Sequence, residues 1–365
     1  MKYYKLQDLC TDIIDCPHST PEWKAEGIRV VRNFNLKNGN LDFTDGYFVD
    51  EETYRNRIKR AVPEPDDIII SREAPMGVVG IVPKNLKCCL GQRLVLLKVD
   101  KTKCNPYYLL FMLMSDFVQT QFKRADATGS IVSNLCIPDL KEIVIPMVNG
   151  GQENIANLLK SINKKMLINN KINDNLHSQM CLLYEQLMSK AISKQIQGDF
   201  VCAKELTEVI TGKEDANFSS PDGLYKFFTC SNTPLQCNEY AFDSSSILIA
   251  GNGDFNVKHY SGKFNAYQRT YVLTPPSEYY ALLYMASLYR INSFKSKSSG
   301  SIVKFITKGD VENIPLFIPK ENSILKELNK LVALKERNSL ENEELSRLRD
   351  WLLPMLMNGQ ATIED

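Results

Sequence analysis

Apolar side chains recur at alternating steps of three and four along two stretches of this chain. Over 152–197 the series is Ile155, Leu158, Ile162 and Met166, then Leu176, Met180, Leu183 and Leu187. Over 321–353 and just beyond it is Ile324, Leu328, Leu331 and Leu334, then Leu345, Leu348, Leu352 and Met355. That spacing is the seam of a coiled coil and predicts two long helices. Both seams turn polar near the middle, at Asn169 and Asn173 in the first and at Asn338 and Glu341 in the second. A helix of roughly 40 residues is about 60 Å long at 1.5 Å per residue. A lone stripe of this kind is not stable by itself, so the two helices are expected to pack on each other rather than each covering its own lobe.

The sequence ahead of each helix reads differently. β-branched runs such as IRVV (28–31) and IIIS (68–71), bounded by Gly, Pro and Asp, predict strands. These runs belong to an internal repeat, the strongest signal in the chain. TGSIVSNLCIPDLKEIVIP (128–146) matches SGSIVKFITKGDVENIPLFIP (299–319), and the Gly-Ser-Ile-Val cores are Gly129–Val132 and Gly300–Val303. Upstream, PYYLLFML (106–113) parallels EYYALLYM (278–285), IIIS parallels ILIA (247–250), and Gln92–Arg93 parallels Gln268–Arg269. The order of elements is kept while loop lengths differ. Each unit ends in an Ile-Pro pair, Ile145–Pro146 or Ile318–Pro319, which disfavours helix just before it. The expected fold is α+β: a mixed α/β lobe and a long helix, each occurring twice. The segments are 1–150 (lobe one), 151–198 (helix), 199–319 (lobe two) and 320–365 (helix), with the two helices forming an antiparallel coiled coil.

Composition adds little to this picture. The 365 residues are 44% hydrophobic and 24% charged, and the net charge of +1 gives no support to a nucleic-acid partner. If the lobes bind DNA, their cations must be clustered on one face. No run of about 18 apolar residues is present, and the start MKYYKLQDLC lacks a basic segment followed by an apolar one. The ten cysteines contain no C-x-x-C, which predicts buried thiols in a reducing compartment and a cytoplasmic protein.

The chain carries no recognisable catalytic motif. NPYY (105–108) lacks the second proline of a methyltransferase base-flipping loop, and no F-x-G-x-G lies upstream. Asn105 as a helix N-cap with Pro106 at the first helical position accounts for the tetrapeptide. GNGD (251–254) has no G-K-[ST] beside it, and His18, His177 and His259 lack metal-ligand spacing. Neither a catalytic site nor a metal site is expected.

Several segments resemble the specificity subunit of type I restriction–modification enzymes, and the resemblance covers essentially the whole chain. In lobe one they are DCPHSTP (15–21), GIRVVR (27–32), DDIIISREAPMG (66–77) and CCLGQR (88–93), in that order. The ends of both repeats are similar to the family's lobe-to-helix junction. LSRLRDWLLPMLMNGQATI (345–363) resembles its terminal helix with a Pro-interrupted end. The resemblance implies two target-recognition domains, each reading half of a split DNA target, with the helices between them setting the spacing. It also implies that methylation and cleavage belong to partners: methyltransferase subunits, two of them, and restriction/translocase subunits, which bind S-adenosylmethionine and ATP. The chain itself would carry no cofactor. Lobe two departs from the pattern, offering GNGDFNVKH (251–259) instead of R-E-A-P-M-G.

Base reading in the major groove needs Arg, Lys, Asn, Gln or Ser/Thr on loops, and phosphate anchoring needs cations. The candidates in lobe one are Arg72, Gln92, Arg93, Arg124, Ser130 and Asn134. In lobe two they are Asn252, Asn256, Lys258, His259, Arg269, Lys297, Ser301 and Lys304. For each, the alternative is a solvated surface residue or, for the Gln-Arg pairs, a structural hydrogen bond at a strand start. A second reading of the whole chain, a diverged DNA methyltransferase or a fragment of a fused restriction enzyme, needs a catalytic domain for which no segment outside the repeat is long enough.

Overall fold

Each lobe is closed by pairing its first strand with its last. In lobe one Lys2–Lys5 runs antiparallel to Val144–Met147, and in lobe two Gly198–Cys202 runs antiparallel to Pro315–Pro319. Pro146 and Pro319 are tolerated because each of these sheets has only two strands, so a missing N–H breaks no central ladder. The computed structural model describes residues 1–43, 46–73, 75–126, 134–253, 255–297 and 305–363. It divides into one unit of residues 1–167 with 342–365 and another of residues 168–341.

In the first unit, four antiparallel strands lie in the order Cys10–Asp15, Leu94–Val99, Ile68–Ser71, Val79–Ile81. Ile68, Ile69 and Ile70 are all fully buried, because the strand is covered on both faces. Ile68 and Ile70 face a core completed by the helices Pro106–Met114 and Asp116–Asp126, whereas Ile69 faces a second core with Val31, Leu36, Leu94 and Leu96. A smaller sheet orders Phe48–Val49, Ile28–Val31 and Cys88–Leu90, the last two parallel. In the second unit a single six-stranded sheet runs Val209–Thr211, Thr270–Leu273, Phe242–Ala250, Val257–Ala266, Tyr225–Phe228, Leu235–Cys237. Ile247 and Ile249 face one core and Leu248 another, the same alternation as in IIIS.

Main-chain hydrogen bonds repeat between the lobes residue for residue. Leu6 N donates to Ile143 O at 2.8 Å, as Ala203 N does to Ile314 O at 3.0 Å. Cys16 N to Leu94 O (3.1 Å) corresponds to Gly212 N to Thr270 O (3.1 Å), and Gly91 N to Val31 O (2.7 Å) to Tyr267 N to Phe228 O (2.9 Å). Under this register Val257–Ala266 does the work of two lobe-one strands, Val79–Ile81 and Cys88–Leu90. The segment 83–87, PKNLK, interrupts the strand in lobe one and divides one sheet into two.

The predicted helices span Gln152–Ile192 and Ser323–Met357. The second continues past Pro354 to Met357, and Gly359 beyond it, with a φ of +68°, closes the cap. In the second unit Leu176, Met180, Tyr184 and Leu187 share a core with Leu325, Leu328, Leu331 and Val332, and the pairing of Asn169 with Glu341 and of Asn173 with Asn338 makes the helices antiparallel. The polar middle of the seam is present there too. Asn169 Nδ2 donates to Glu341 Oε2 at 2.7 Å, and Asn338 Nδ2 donates to Asn173 Oδ1 at 3.0 Å.

Two expectations need correction. The helices do not pack only on each other: Ile155, Ala156, Leu159, Leu353, Leu356 and Met357 are part of the lobe-one core. Leu158 and Leu348 are exposed, while Leu159 and Arg349 take the buried positions. Burying a helix against both a partner and a lobe needs an apolar face wider than an a/d seam, so neighbouring positions are recruited.

The cap reading of NPYY holds. Asn105 Oδ1 accepts from Tyr107 N (2.8 Å) and Tyr108 N (3.2 Å), with Pro106 opening the helix. Asn105→Ala is expected to cost about 1 kcal/mol, lowering the melting temperature by roughly 2–4 °C in a thermal scan.

Candidate nucleic-acid interface

The strand Ile68–Ser71 and its counterpart Phe242–Ala250 end at the same main-chain junction. In lobe one Arg72 N donates to Arg93 O (2.8 Å), and Leu135 N donates to Arg72 O (3.0 Å). In lobe two Gly251 N donates to Arg269 O (2.9 Å), and Ile306 N donates to Gly251 O (2.8 Å). Residue 72 or 251 therefore joins the Gln-Arg turn to the first residues after the Gly-Ser-Ile-Val segment. Asn134, beside Leu135, is exposed, and in lobe two Asn252 bridges to Phe305.

At this junction Arg93 and Arg269 occupy equivalent positions, and both side chains are exposed. Arg93 adopts a φ of +67°, a conformation that non-glycine residues other than Asn and Asp rarely take. Strain of this kind persists where surrounding structure fixes it and concentrates at functional sites. The Arg93 guanidinium reaches Glu73 at 3.0 Å, yet its side chain stays 56% exposed. A surface pair of that sort contributes little to stability and is readily exchanged for another anion.

A family model, the type I restriction modification DNA specificity domain, matches residues 1–178 and 199–348, one match per repeat. The chain belongs to the type I restriction–modification DNA specificity family. The DNA specificity domain occurs in it twice, and the relatives it matches are specificity subunits of such systems. It is 40% identical to the type I restriction enzyme EcoDI specificity subunit of Escherichia coli over 167 residues, 44% of this chain and 38% of that protein. Similarity to a protein described as the type I restriction enzyme MjaX specificity subunit of Methanocaldococcus jannaschii is 23% identity over 384 aligned positions. It covers 93% of this chain and 88% of that protein. The crystal structure of a type I restriction-modification S subunit from M. genitalium shares the fold. Its TM-score is 0.58 at 19% identity, covering 96% of this chain and 94% of that one.

Within this specificity subunit, four candidate side chains prove to be committed to the protein interior. Arg72 keeps only 13% of its side-chain surface and pairs with Asp15 at 2.9 Å, so its charge is neutralised internally. Its Nε donates to Leu135 O at 2.9 Å and its second fork nitrogen to Asn134 Oδ1 at 3.3 Å. Lys258 points inward to Thr229 O (3.1 Å), and burial pushes its pKa down to about 8. His259 is 11% exposed, bonds Glu336 at 2.8 Å and packs edge-on against Tyr284. Asn256 donates to Cys230 O at 2.8 Å. The sequence signal here, polar residues after a strand, does not distinguish a loop from an inward-facing strand start. Val257–Ala266 begins at this point and alternates its side chains.

Gln92 donates to His18 O, the structural alternative for that residue, and so braces DCPHSTP. Arg124 is exposed near the end of the helix Asp116–Asp126. Lys297 ends the helix Tyr280–Lys297, with its side chain outside the described residues. Ser130, Ser301, Lys304 and both Gly-Ser-Ile-Val cores also lie outside the described residues.

Two cation–aromatic clusters escaped the sequence reading. In lobe one the Arg32 guanidinium lies over Tyr47 (4.5 Å) and Phe34 (5.0 Å), and Arg29 lies over Phe43 (5.0 Å) and Phe48 (5.2 Å). In lobe two Lys226 lies over Tyr260 (5.2 Å), and Lys263 lies over Tyr240 (4.6 Å). Arg29 and Lys226 hold the same place in their sheets, one pairing with Cys88 and the other with Phe264. Alternation in GIRVVR puts Arg29 and the Val30 side chain on opposite faces, which was the available signal. Among the described residues no group of three or more His, Cys, Asp or Glu could hold a metal, and no helix is long and apolar enough to cross a membrane.

Proposed function

We propose that each lobe reads one half of a split double-stranded DNA target and that the chain delivers partner subunits to it. The partners are methyltransferase subunits, two in number, and restriction/translocase subunits, which supply the S-adenosylmethionine and ATP chemistry. The observation that carries this reading is the repeated main-chain junction, which presents an exposed arginine at the same point in both lobes. Two equivalent surfaces in one chain suit a target with two separate parts. A net charge of +1 is no obstacle when the cations are local.

Arg93→Ala and Arg269→Ala are each expected to weaken binding to the target by roughly ten-fold or more, as loss of a direct arginine contact does. Neither should shift the melting temperature by more than a degree or two, because both side chains are exposed. Alanine at 93 keeps the same positive-φ cost, so the comparison isolates the guanidinium. A lower melting temperature with unchanged affinity would assign both residues a structural role. Co-expression with the neighbouring methyltransferase gene, followed by sequencing for modified bases, identifies the target.

A further inference from the structure

The carbonyl that follows the Gly-Ser-Ile-Val segment is held in both lobes, but by different chemistry. Leu135 O accepts from Arg72 Nε at 2.9 Å, and Ile306 O accepts from Tyr271 Oη at 2.9 Å. Arg72 belongs to one strand end, whereas Tyr271 sits on the adjacent strand at the position of Val95. The replacement is concerted. Where Arg72 stands, lobe two has Gly251, and a Cβ there would lie 2.8 Å from Arg269 O and 3.0 Å from the Tyr271 ring. Where Asp15 neutralises Arg72, lobe two has Thr211, since Asp15 pairs with Val95 as Thr211 pairs with Tyr271. A neutral phenol needs no counter-ion, so no carboxylate is required.

We infer that Arg72 and Tyr271 are equivalent positioning residues, each fixing the main chain at Leu135 or Ile306 beside Arg93 or Arg269, and so each sets the fidelity of one half-site. The inference rests on the DNA-reading function proposed above. Two unrelated side chains meeting one acceptor show that the demand is on the acceptor, not on the charge. A donor kept only for packing would not need to be rebuilt from another strand when the first position becomes glycine.

The test uses the full chain and a target obtained by selection from random duplexes, with binding measured to duplexes altered in one half at a time. Tyr271→Phe removes one hydroxyl and keeps the ring, so folding is preserved. It is expected to lower discrimination at one half-site by about five- to ten-fold, the effect of one lost hydrogen bond, and to leave the other half-site unchanged. Arg72→Met is expected to do the same at the opposite half-site. Discrimination unchanged in Tyr271→Phe, or reduced equally at both half-sites, overturns the inference while leaving the DNA-reading function standing. Failure of the wild-type chain to select any split target overturns that function and the inference with it.

Discussion

Replacing residues 1–150 with the first lobe of another family member is expected to change one half of the modified DNA sequence and leave the other half intact. Lobe one has its own buried cores, its own strand pairing between Lys2–Lys5 and Val144–Met147, and its own junction at Arg72 and Leu135. The expected loss of affinity for the original half-site is large, because each mismatched base pair costs about 1–3 kcal/mol and a half-site contains several. The exchange also has a structural condition. Ile155, Ala156, Leu159, Leu353, Leu356 and Met357 complete the lobe-one core from outside the exchanged segment. A donor lobe that does not fit these side chains should melt several degrees lower while keeping its own specificity. Sequencing of modified bases after co-expression with a methyltransferase reads the outcome, and simultaneous change of both halves refutes modular reading.

Arg57→Met is expected to be the most damaging single substitution in lobe one outside its apolar core. The Arg57 guanidinium is buried and donates to Leu90 O (2.8 Å), Ser19 O (2.9 Å) and Pro17 O (3.3 Å). It thereby pins DCPHSTP to the strand Cys88–Leu90. Burial pushes its pKa down, so the charge is carried at a cost that these acceptors help to offset. Methionine fills much of the volume but leaves the buried Leu90 carbonyl without this donor, at about 1–3 kcal/mol, and the part-buried carbonyls of Ser19 and Pro17 at less. A total of about 3 kcal/mol or more corresponds to a fall in melting temperature of roughly 6–12 °C for a unit of this size. Arg57→Lys should be no better, because a single ammonium cannot span three diverging carbonyls. A shift under 2 °C in thermal denaturation would rule out the clamp.

The repeat and the helices were legible because they are carried by patterns that physics enforces at every position. IIIS and ILIA are strands buried on both faces, and the alternating threes and fours around Met180 and Leu328 admit little besides a packed helix. The polar layer at Asn169 and Glu341 was legible for the same reason, being an interruption of a strict period. The site was legible only in part. The repeated Gln-Arg pairs at 92–93 and 268–269 were visible, and both arginines fall at the junction because a turn between two apolar strands brings its residues to the strand ends. The inward direction of Arg72, Lys258 and His259 was not legible, because direction is a tertiary property. Whether a basic residue after a strand faces water depends on Asp15, Thr229 or Glu336, which lie 57, 29 and 77 residues away in sequence. The Arg57 clamp and the Arg29 and Arg32 stacks were invisible for the same reason, their partners being backbone carbonyls and rings from other segments.

The junction at residues 72 and 251 is made of main-chain atoms, and this gives the protein an evolutionary freedom. Peptide groups are common to every residue type, so the side chains around the junction can change without disturbing the scaffold that holds them. Duplication then doubles the opportunity. The two copies have diverged at this very point, with an arginine and its aspartate in one and a tyrosine opposite a glycine in the other.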